Sequence, residues 1–157
     1  MHVVLVHGWG VYDTSTYGEL PERLVAETQA GNLPPVTLHN VWLSKYISFK
    51  DEVQVEDLAR GFEAAVRREV APLLEANERF ACITHSTGAP VIRQWWQGFY
   101  WDAKKPSPMS HLVMLAPANF GSALAQLGKG RLGRLRSWWN CIEPGQGVLN
   151  WLEHASP

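Results

Sequence analysis

The residues best suited to do chemistry lie in one segment, THSTG at positions 84–88. The apolar run before it predicts a strand, the segment itself predicts a short turn, and the residues after it predict a helix. Ser86 lies at the apex of the turn, between residues small enough for a sharp bend. Such a turn lifts a serine hydroxyl clear of the sheet as a nucleophile, and the following helix N-terminus offers N–H groups to an oxyanion. The alternative is a serine that only caps the helix beginning near Gly88.

A second turn follows the first apolar run of the chain, where HGWG at positions 7–10 comes directly after VVLV at positions 3–6. Together with THSTG it resembles the α/β-hydrolase superfamily, whose nucleophile elbow reads G-x-S-x-G. HGWG is similar to the H-G-x-x loop of the lipase and esterase branch. The resemblance implies that Ser86 is the nucleophile and that the backbone N–H groups of Trp9 and Thr87 form the oxyanion hole.

The elbow departs from the family pattern at its first position, where Thr84 replaces glycine. That position lies close to a neighbouring strand or helix and needs a small side chain, but a β-branched residue suits the end of a strand. An ordinary glycine-rich turn would account for HGWG taken alone. We favour the resemblance because both segments occur in the right order, one strand–helix–strand–helix unit apart.

A third segment, HLVMLAPANFGS at positions 111–122, is similar to the strand that follows the nucleophile helix in lipases and ends in a loop beside the active site. The three segments together span residues 2 to about 125. Three aromatic residues, Trp9, Phe120 and Trp95, are candidates to line a pocket for an acyl chain. The resemblance therefore implies a serine esterase or lipase that forms an acyl-enzyme from a small hydrophobic ester or lipid-like substrate.

A serine nucleophile needs a histidine base and an acid that orients it, and in this superfamily the acid and then the histidine follow the serine along the chain. Glu143 followed by His154 satisfies that order. However, the chain after residue 122 has no β-branched apolar run to form the strands that carry such residues. His85 is expected to pack under the elbow, and His7 to shape the oxyanion loop through hydrogen bonds.

These features predict the N-terminal portion of a longer hydrolase, without its acid and histidine segments. The alternative is a non-catalytic binding or interaction module on a truncated hydrolase fold. An apolar sheet edge left exposed in such a portion would favour oligomer formation. The sequence has no paired-cysteine spacing, no His-x-x-x-His and no phosphate-binding glycine loop, so we expect neither a metal nor an organic cofactor.

Strands and helices alternate along the chain. The strongest helix signal is at 53–77, where Leu58, Phe62 and Val66 recur at four-residue steps and Pro72 interrupts the last turn. The alternation predicts βαβ units and an α/β fold, with a mostly parallel sheet and helices on both faces. The predicted strands are 3–6, 36–43, 79–84 and 111–116, and the other predicted helices are 20–30 and 89–100.

Length and composition agree with one folded domain. The chain has 157 residues, of which 46% are hydrophobic and 18% are charged, which is too apolar for a disordered chain. It has no apolar run as long as the roughly 20 residues that a membrane-spanning helix needs. A net charge of −1 argues against nucleic acid as a partner. Cys82 lies in an apolar run and is expected to be a buried thiol. The N-terminus shows no signal peptide, which predicts a cytoplasmic protein.

The last part of the sequence is basic and rich in tryptophan. We interpret residues 1–157 as a single, partial α/β-hydrolase domain in which 122–157 is a lid-like or peripheral helical segment. Cationic side chains alternate with leucine and tryptophan through 127–139, a pattern typical of contact with a membrane surface or of a lid over an acyl site. The alternative is a solvated cationic helix that packs its apolar residues on the sheet.

Overall fold

Four parallel strands form the centre of the structure, a computed structural model that describes residues 1–7, 17–42 and 53–120. The strands are β1 (His2–Val6), β2 (Thr37–Val41), β3 (Phe80–His85) and β4 (Met109–Leu115). Their order in the sheet is β2-β1-β3-β4, and every neighbouring pair is parallel. All four predicted strands are present, and the predicted α/β fold is confirmed.

The described helices are α1 (Leu20–Gln29), α2 (Val55–Ala65) and α3 (Gly88–Trp96). The single helix predicted to reach Asn77 ends earlier, because α2 widens into a π-helical turn at Val66–Val70 and then into a 3-10 turn at Ala71–Leu73. Pro72 accounts for the early end, since it has no N–H to donate and its ring crowds the preceding turn. None of the helices in the described ranges is both long and apolar enough to cross a membrane.

The two faces of the sheet carry separate apolar clusters. Val4 and Val6 of β1 belong to the cluster that includes α2 and α3. Val3 and Leu5 belong to the other cluster, against which Leu20 at the start of α1 packs. Because successive side chains of a strand point to opposite faces, the described helices cover both sides of the sheet, as predicted.

The central strands are much better buried than the outer ones. Val4, Leu5 and Val6 are fully buried, as expected for a continuous apolar strand of a parallel sheet. In β4, the outermost described strand on its side, Val113 is 47% exposed and Met114 is 38% exposed. In the described part of the sheet, the central strand β1 is therefore well buried and the outer strand β4 is partly exposed to solvent.

A buried carboxylate joins α2 to α3. Glu63 accepts hydrogen bonds from the indole N–H of Trp95 at 2.6 Å, from the Tyr100 hydroxyl at 3.3 Å and from Nε of Arg67 at 2.7 Å. The Trp95 ring is fully buried and meets Phe62 edge-on, with ring centroids 4.9 Å apart. The structure thus places Trp95 in the core between α2 and α3, whereas the sequence suggested it as a candidate to line a pocket for an acyl chain.

The carboxyl ends of β1 and β3 meet at one edge of the sheet. These strands are adjacent, and Val6 is in register with Thr84. The segments at 7–10 and 84–88, which carry the predicted oxyanion loop and nucleophile, begin at these two strand ends. In open α/β sheets this edge is where ligands bind.

Candidate functional site

Ser86 lies in a strained turn between β3 and α3. Its φ is +52°, in the left-handed region that residues other than glycine avoid. β3 ends at His85 and α3 begins at Gly88, so only Ser86 and Thr87 form the turn. Ser86 is half-buried. The strand, turn and helix expected around Ser86 are present, and the backbone has the sharp bend that a nucleophile elbow requires.

Hydrogen bonds to the end of β4 and to the residues that follow it hold the strained backbone of Ser86. Its N–H donates to the carbonyl of Leu115, the last residue of β4, at 3.1 Å. Its carbonyl accepts from the N–H of Ala118 at 3.1 Å and from that of Ala89 at 3.3 Å. Ala116, directly after β4, also has a positive φ of 42°. The loop after β4 therefore fixes the backbone of Ser86 from outside its own strand.

Gly88 lies where an added side chain would be tightly packed. A Cβ at this position would be 3.1 Å from the carbonyl oxygen of Val6 and 3.5 Å from Cβ of Thr84. The first distance is tighter than almost all real Cβ contacts, and the neighbouring atom belongs to the backbone of a central strand. The close approach of α3 to β1 thus favours glycine at the end of the THSTG segment.

Thr84 fills the position where the family pattern has glycine. Its side chain is fully buried, and its Cβ would meet a Cβ at Gly88 at an ordinary van der Waals distance. Its hydroxyl has no hydrogen-bond partner within the described part of the chain. The threonine is therefore tolerated sterically, at the expense of an unsatisfied hydroxyl group under the elbow.

The predicted site residues are only partly brought together. Thr87, predicted as an oxyanion donor, directly precedes α3 with φ −68° and ψ −14°, at the helix end where backbone N–H groups point outward. Phe120 is 78% exposed and lies two residues after Ala118, which contacts Ser86. Trp95 lies in the helix core. The other predicted donor, Trp9, lies outside the described residues.

Several further predictions also fall outside the described ranges. These are the acid and base candidates Glu143 and His154, the basic segment 127–139, and the lid-like segment 122–157. Within the described ranges, no group of three or more His, Cys, Asp or Glu side chains could hold a metal ion.

The two histidines within the motifs make packing contacts. His7 is buried, with its Nε2 atom 3.3 Å from Oδ1 of Asn40 and its ring stacked on Trp42 at 4.0 Å. The ring of His85 lies edge-on to Tyr17, with centroids 6.5 Å apart. The described contact of His85 is thus with the Tyr17 ring, and its packing under the elbow stays a prediction.

Tyr17 is a residue of this site that the sequence did not reveal. It is 6% exposed, and its hydroxyl donates to the carbonyl of Val6 at 2.5 Å and lies 3.1 Å from the carbonyl of Ile83. Burial, and next the nearby Cys82, raise the pKa of Tyr17 far above its ordinary value, so the hydroxyl keeps its proton. The sequence signal is only a single tyrosine after a glycine-rich turn, without periodicity to distinguish it.

Comparison with known proteins connects this geometry to one group of enzymes. The chain is similar to the structure of phospholipase PlaB from Legionella pneumophila, with 51% sequence identity and a TM-score of 0.81 over 97% of this chain and 32% of that one. A structure of the same phospholipase in complex with thio-NAD gives 49% identity and a TM-score of 0.79, over 97% and 31%. The chain thus spans about a third of the length of these proteins. Comparisons with protein-family models and with curated proteins gave no match.

Proposed function

Because the chain belongs to the α/β-hydrolase superfamily, in its lipase- and esterase-like branch, we propose that it carries the nucleophile of a serine hydrolase that cleaves carboxylic esters of lipids. The observation that carries the proposal is the left-handed backbone of Ser86 in a two-residue turn between a buried strand and a helix. A serine that merely capped the helix would not need this conformation, since N-cap residues normally have extended backbones.

The proposed reaction proceeds through an acyl-enzyme. Oγ of Ser86 attacks the ester carbonyl carbon while a histidine removes its proton, and the tetrahedral oxyanion binds to backbone N–H groups. The C–O bond to the alcohol then breaks, and the alcohol leaves with the proton from the histidine. Water releases the acid by the reverse sequence of steps. The described residues supply the nucleophile, and the proposal assigns the histidine and its acid to parts of the protein outside them.

Trp9 and Thr87 are the proposed oxyanion donors. The position of Thr87 at the start of α3 supports this, since the positive end of a helix dipole favours developing negative charge. One such donor typically changes the rate by about 10²–10³-fold. Because both groups belong to the backbone, their contribution depends on how the two loops are positioned and not on the side chains.

A lipid-like substrate is proposed from two observations. The similar Legionella protein is a phospholipase. In this chain, Phe120 is largely exposed on the loop that holds the backbone of Ser86, and Met114 of β4 is also partly exposed. We also propose that the segment 127–139 contacts a membrane surface. Such contact would bring the enzyme to its lipid substrate.

The test is Ser86-dependent labelling by a fluorophosphonate probe, together with turnover of p-nitrophenyl esters of increasing chain length by the native gene product. Ser86→Ala should abolish labelling and reduce turnover at least about 10³-fold. Ser110→Ala is the matched control. Ser110 lies on β4, and its hydroxyl donates to the carbonyl of Phe80 at 3.0 Å, far along the sheet from the elbow.

A folded protein that shows neither labelling nor turnover would favour the alternative, a non-catalytic module on a hydrolase fold. Labelling that persists in Ser86→Ala would also contradict the proposal, because another residue would then be the nucleophile. Equal turnover of short and long acyl chains would contradict the proposed lipid-like substrate but not the proposed serine esterase activity.

A further inference from the structure

Tyr17 contacts both strands that carry the proposed catalytic groups. Its hydroxyl donates to the carbonyl of Val6, the last residue of β1, and lies within hydrogen-bond distance of the carbonyl of Ile83 in β3. Val6 immediately precedes the HGWG turn, and Ile83 is three residues before Ser86. One side chain therefore joins the end of the strand that leads to the oxyanion loop to the strand that leads to the nucleophile.

The carbonyl oxygen of Val6 is a point where three segments converge. The Tyr17 hydroxyl is 2.5 Å away from it, and a Cβ at Gly88 would be 3.1 Å away. Val6 is also in register with Thr84 across the sheet. Any displacement of this carbonyl would change the spacing between the end of β1 and the start of α3, the two elements that present the proposed oxyanion donors.

The Tyr17 ring also contacts one histidine in each of the two motifs. It meets His7 edge-on at 5.1 Å and His85 edge-on at 6.5 Å. His7 and Tyr17 are thus in contact although the segment 8–16 separates them in the sequence. The ring packs in the apolar cluster with Val3 and Leu5, which makes its position rigid.

We propose that Tyr17 is a positioning residue for the oxyanion hole, whose hydroxyl fixes the carbonyl end of β1 relative to β3 and to the start of α3, where Thr87 lies. The inference rests on the proposed serine hydrolase function. Oxyanion donors act only when they lie about 2.7–3.1 Å from the developing charge, and a misplacement of about 1 Å can reduce a rate about 10²-fold. A hydroxyl that fixes the carbonyl end of β1 controls that distance without touching the substrate.

The experiment compares Tyr17→Phe with Tyr100→Phe in the native gene product. Each variant removes one tyrosine hydroxyl and keeps the aromatic ring. The Tyr100 hydroxyl donates a hydrogen bond to Glu63 of α2, away from the elbow. Fluorophosphonate titration counts the molecules with a reactive Ser86, and ester turnover is expressed per titrated site. We expect Tyr17→Phe to lower kcat per site about 10–100-fold with little change in KM, because only transition-state stabilisation is lost.

Tyr100→Phe should keep kcat per site within about twofold of the wild type. A wild-type kcat per site in Tyr17→Phe would overturn the inference, even if that variant were less stable, because the hydroxyl would then be purely structural. A raised KM with unchanged kcat would also overturn it, since it would assign Tyr17 to substrate binding. If Tyr17→Phe folds poorly, an osmolyte restores folded molecules, and the value per titrated site stays interpretable.

Ser86→Ala separates failure of this inference from failure of the proposed function. Activity that survives in Ser86→Ala removes the serine hydrolase proposal, whatever Tyr17→Phe does. Activity that is lost in Ser86→Ala but unchanged in Tyr17→Phe removes only the positioning role.

Discussion

At the scale of single residues, the elbow combines a strained serine with neighbours that keep it strained. A left-handed backbone at Ser86 costs about 1–3 kcal/mol. Hydrogen bonds with Leu115 and Ala118 hold it there, and the second strained residue, Ala116, belongs to the same loop. The strain is therefore maintained by tertiary contacts, which is typical of residues whose exact placement matters for function.

Gly88 permits the most direct test of this packing. We expect Gly88→Ala to lower the free energy of unfolding by about 1–3 kcal/mol, because the new Cβ is forced against the Val6 carbonyl in a part of the core that cannot relax. Gly98→Ala is the matched control, since a Cβ at Gly98 meets no atom within 4 Å. Urea denaturation measures both changes, and equal stability of the two variants would contradict the close approach of α3 to β1.

At the scale of elements, α2 and α3 are joined by one carboxylate as well as by apolar packing. Glu63 holds the N–H of Trp95 and the hydroxyl of Tyr100, which lies in the π-helical turn at Gln97–Trp101. This pairing makes a buried charge tolerable. It also explains why α3 can end in an irregular turn and still pack closely, since its last residues are fixed by a bond to a neighbouring helix.

The same contact predicts a dependence on alkaline pH. Burial, and next the negative charge of Glu63, raise the pKa of Tyr100 from 10.0 to about 12. A pKa that is higher in the folded state means stability that is fully present below pH 10 and is lost as the pH rises through about 12. We expect the stability difference between the wild type and Tyr100→Phe to shrink over this range. A constant difference in chemical denaturation from pH 9 to 12 would show that Tyr100 does not titrate as its contacts imply.

At the scale of the whole molecule, the described part of the sheet is best buried at its central strands and more exposed at the outer strands β2 and β4. Val113 and Met114 are exposed on β4, whereas residues 3–6 of β1 are buried. The chain spans about a third of the length of the similar phospholipase structures. An outer strand with exposed apolar residues is a surface on which another chain can pack or pair.

We therefore expect residues 1–157, expressed alone, to self-associate in a concentration-dependent way through β4. Val113→Lys should reduce this association, because a charge on an outer strand opposes pairing between chains. Val25→Lys is the control, since Val25 is 40% exposed but lies on α1. Sedimentation velocity measures the association, and an equal effect of the two substitutions would exclude β4 as the contact.

The sequence predicted the elements well where their signals are local. A continuous apolar run identified β1, and four-residue spacing identified the face of α2 that carries Leu58 and Phe62. The end of that helix was predicted too late, because Pro72 acts through clashes with the preceding turn that spacing alone does not quantify. Trp95 was misplaced for a related reason, since the sequence did not show that its helix face meets α2.

By itself, the sequence determined the order of strands and helices and the position of the THSTG turn between β3 and α3, because turn residues and apolar periodicity act within a few positions. The tertiary structure alone decided the positive φ of Ser86 and the preference for glycine at position 88, since both depend on contacts from β4 and β1. It alone also placed the Tyr17 hydroxyl between two strand ends. Hydrogen bonds between residues as distant in the chain as Tyr17 and Ile83 form only when the sheet brings β1 and β3 together.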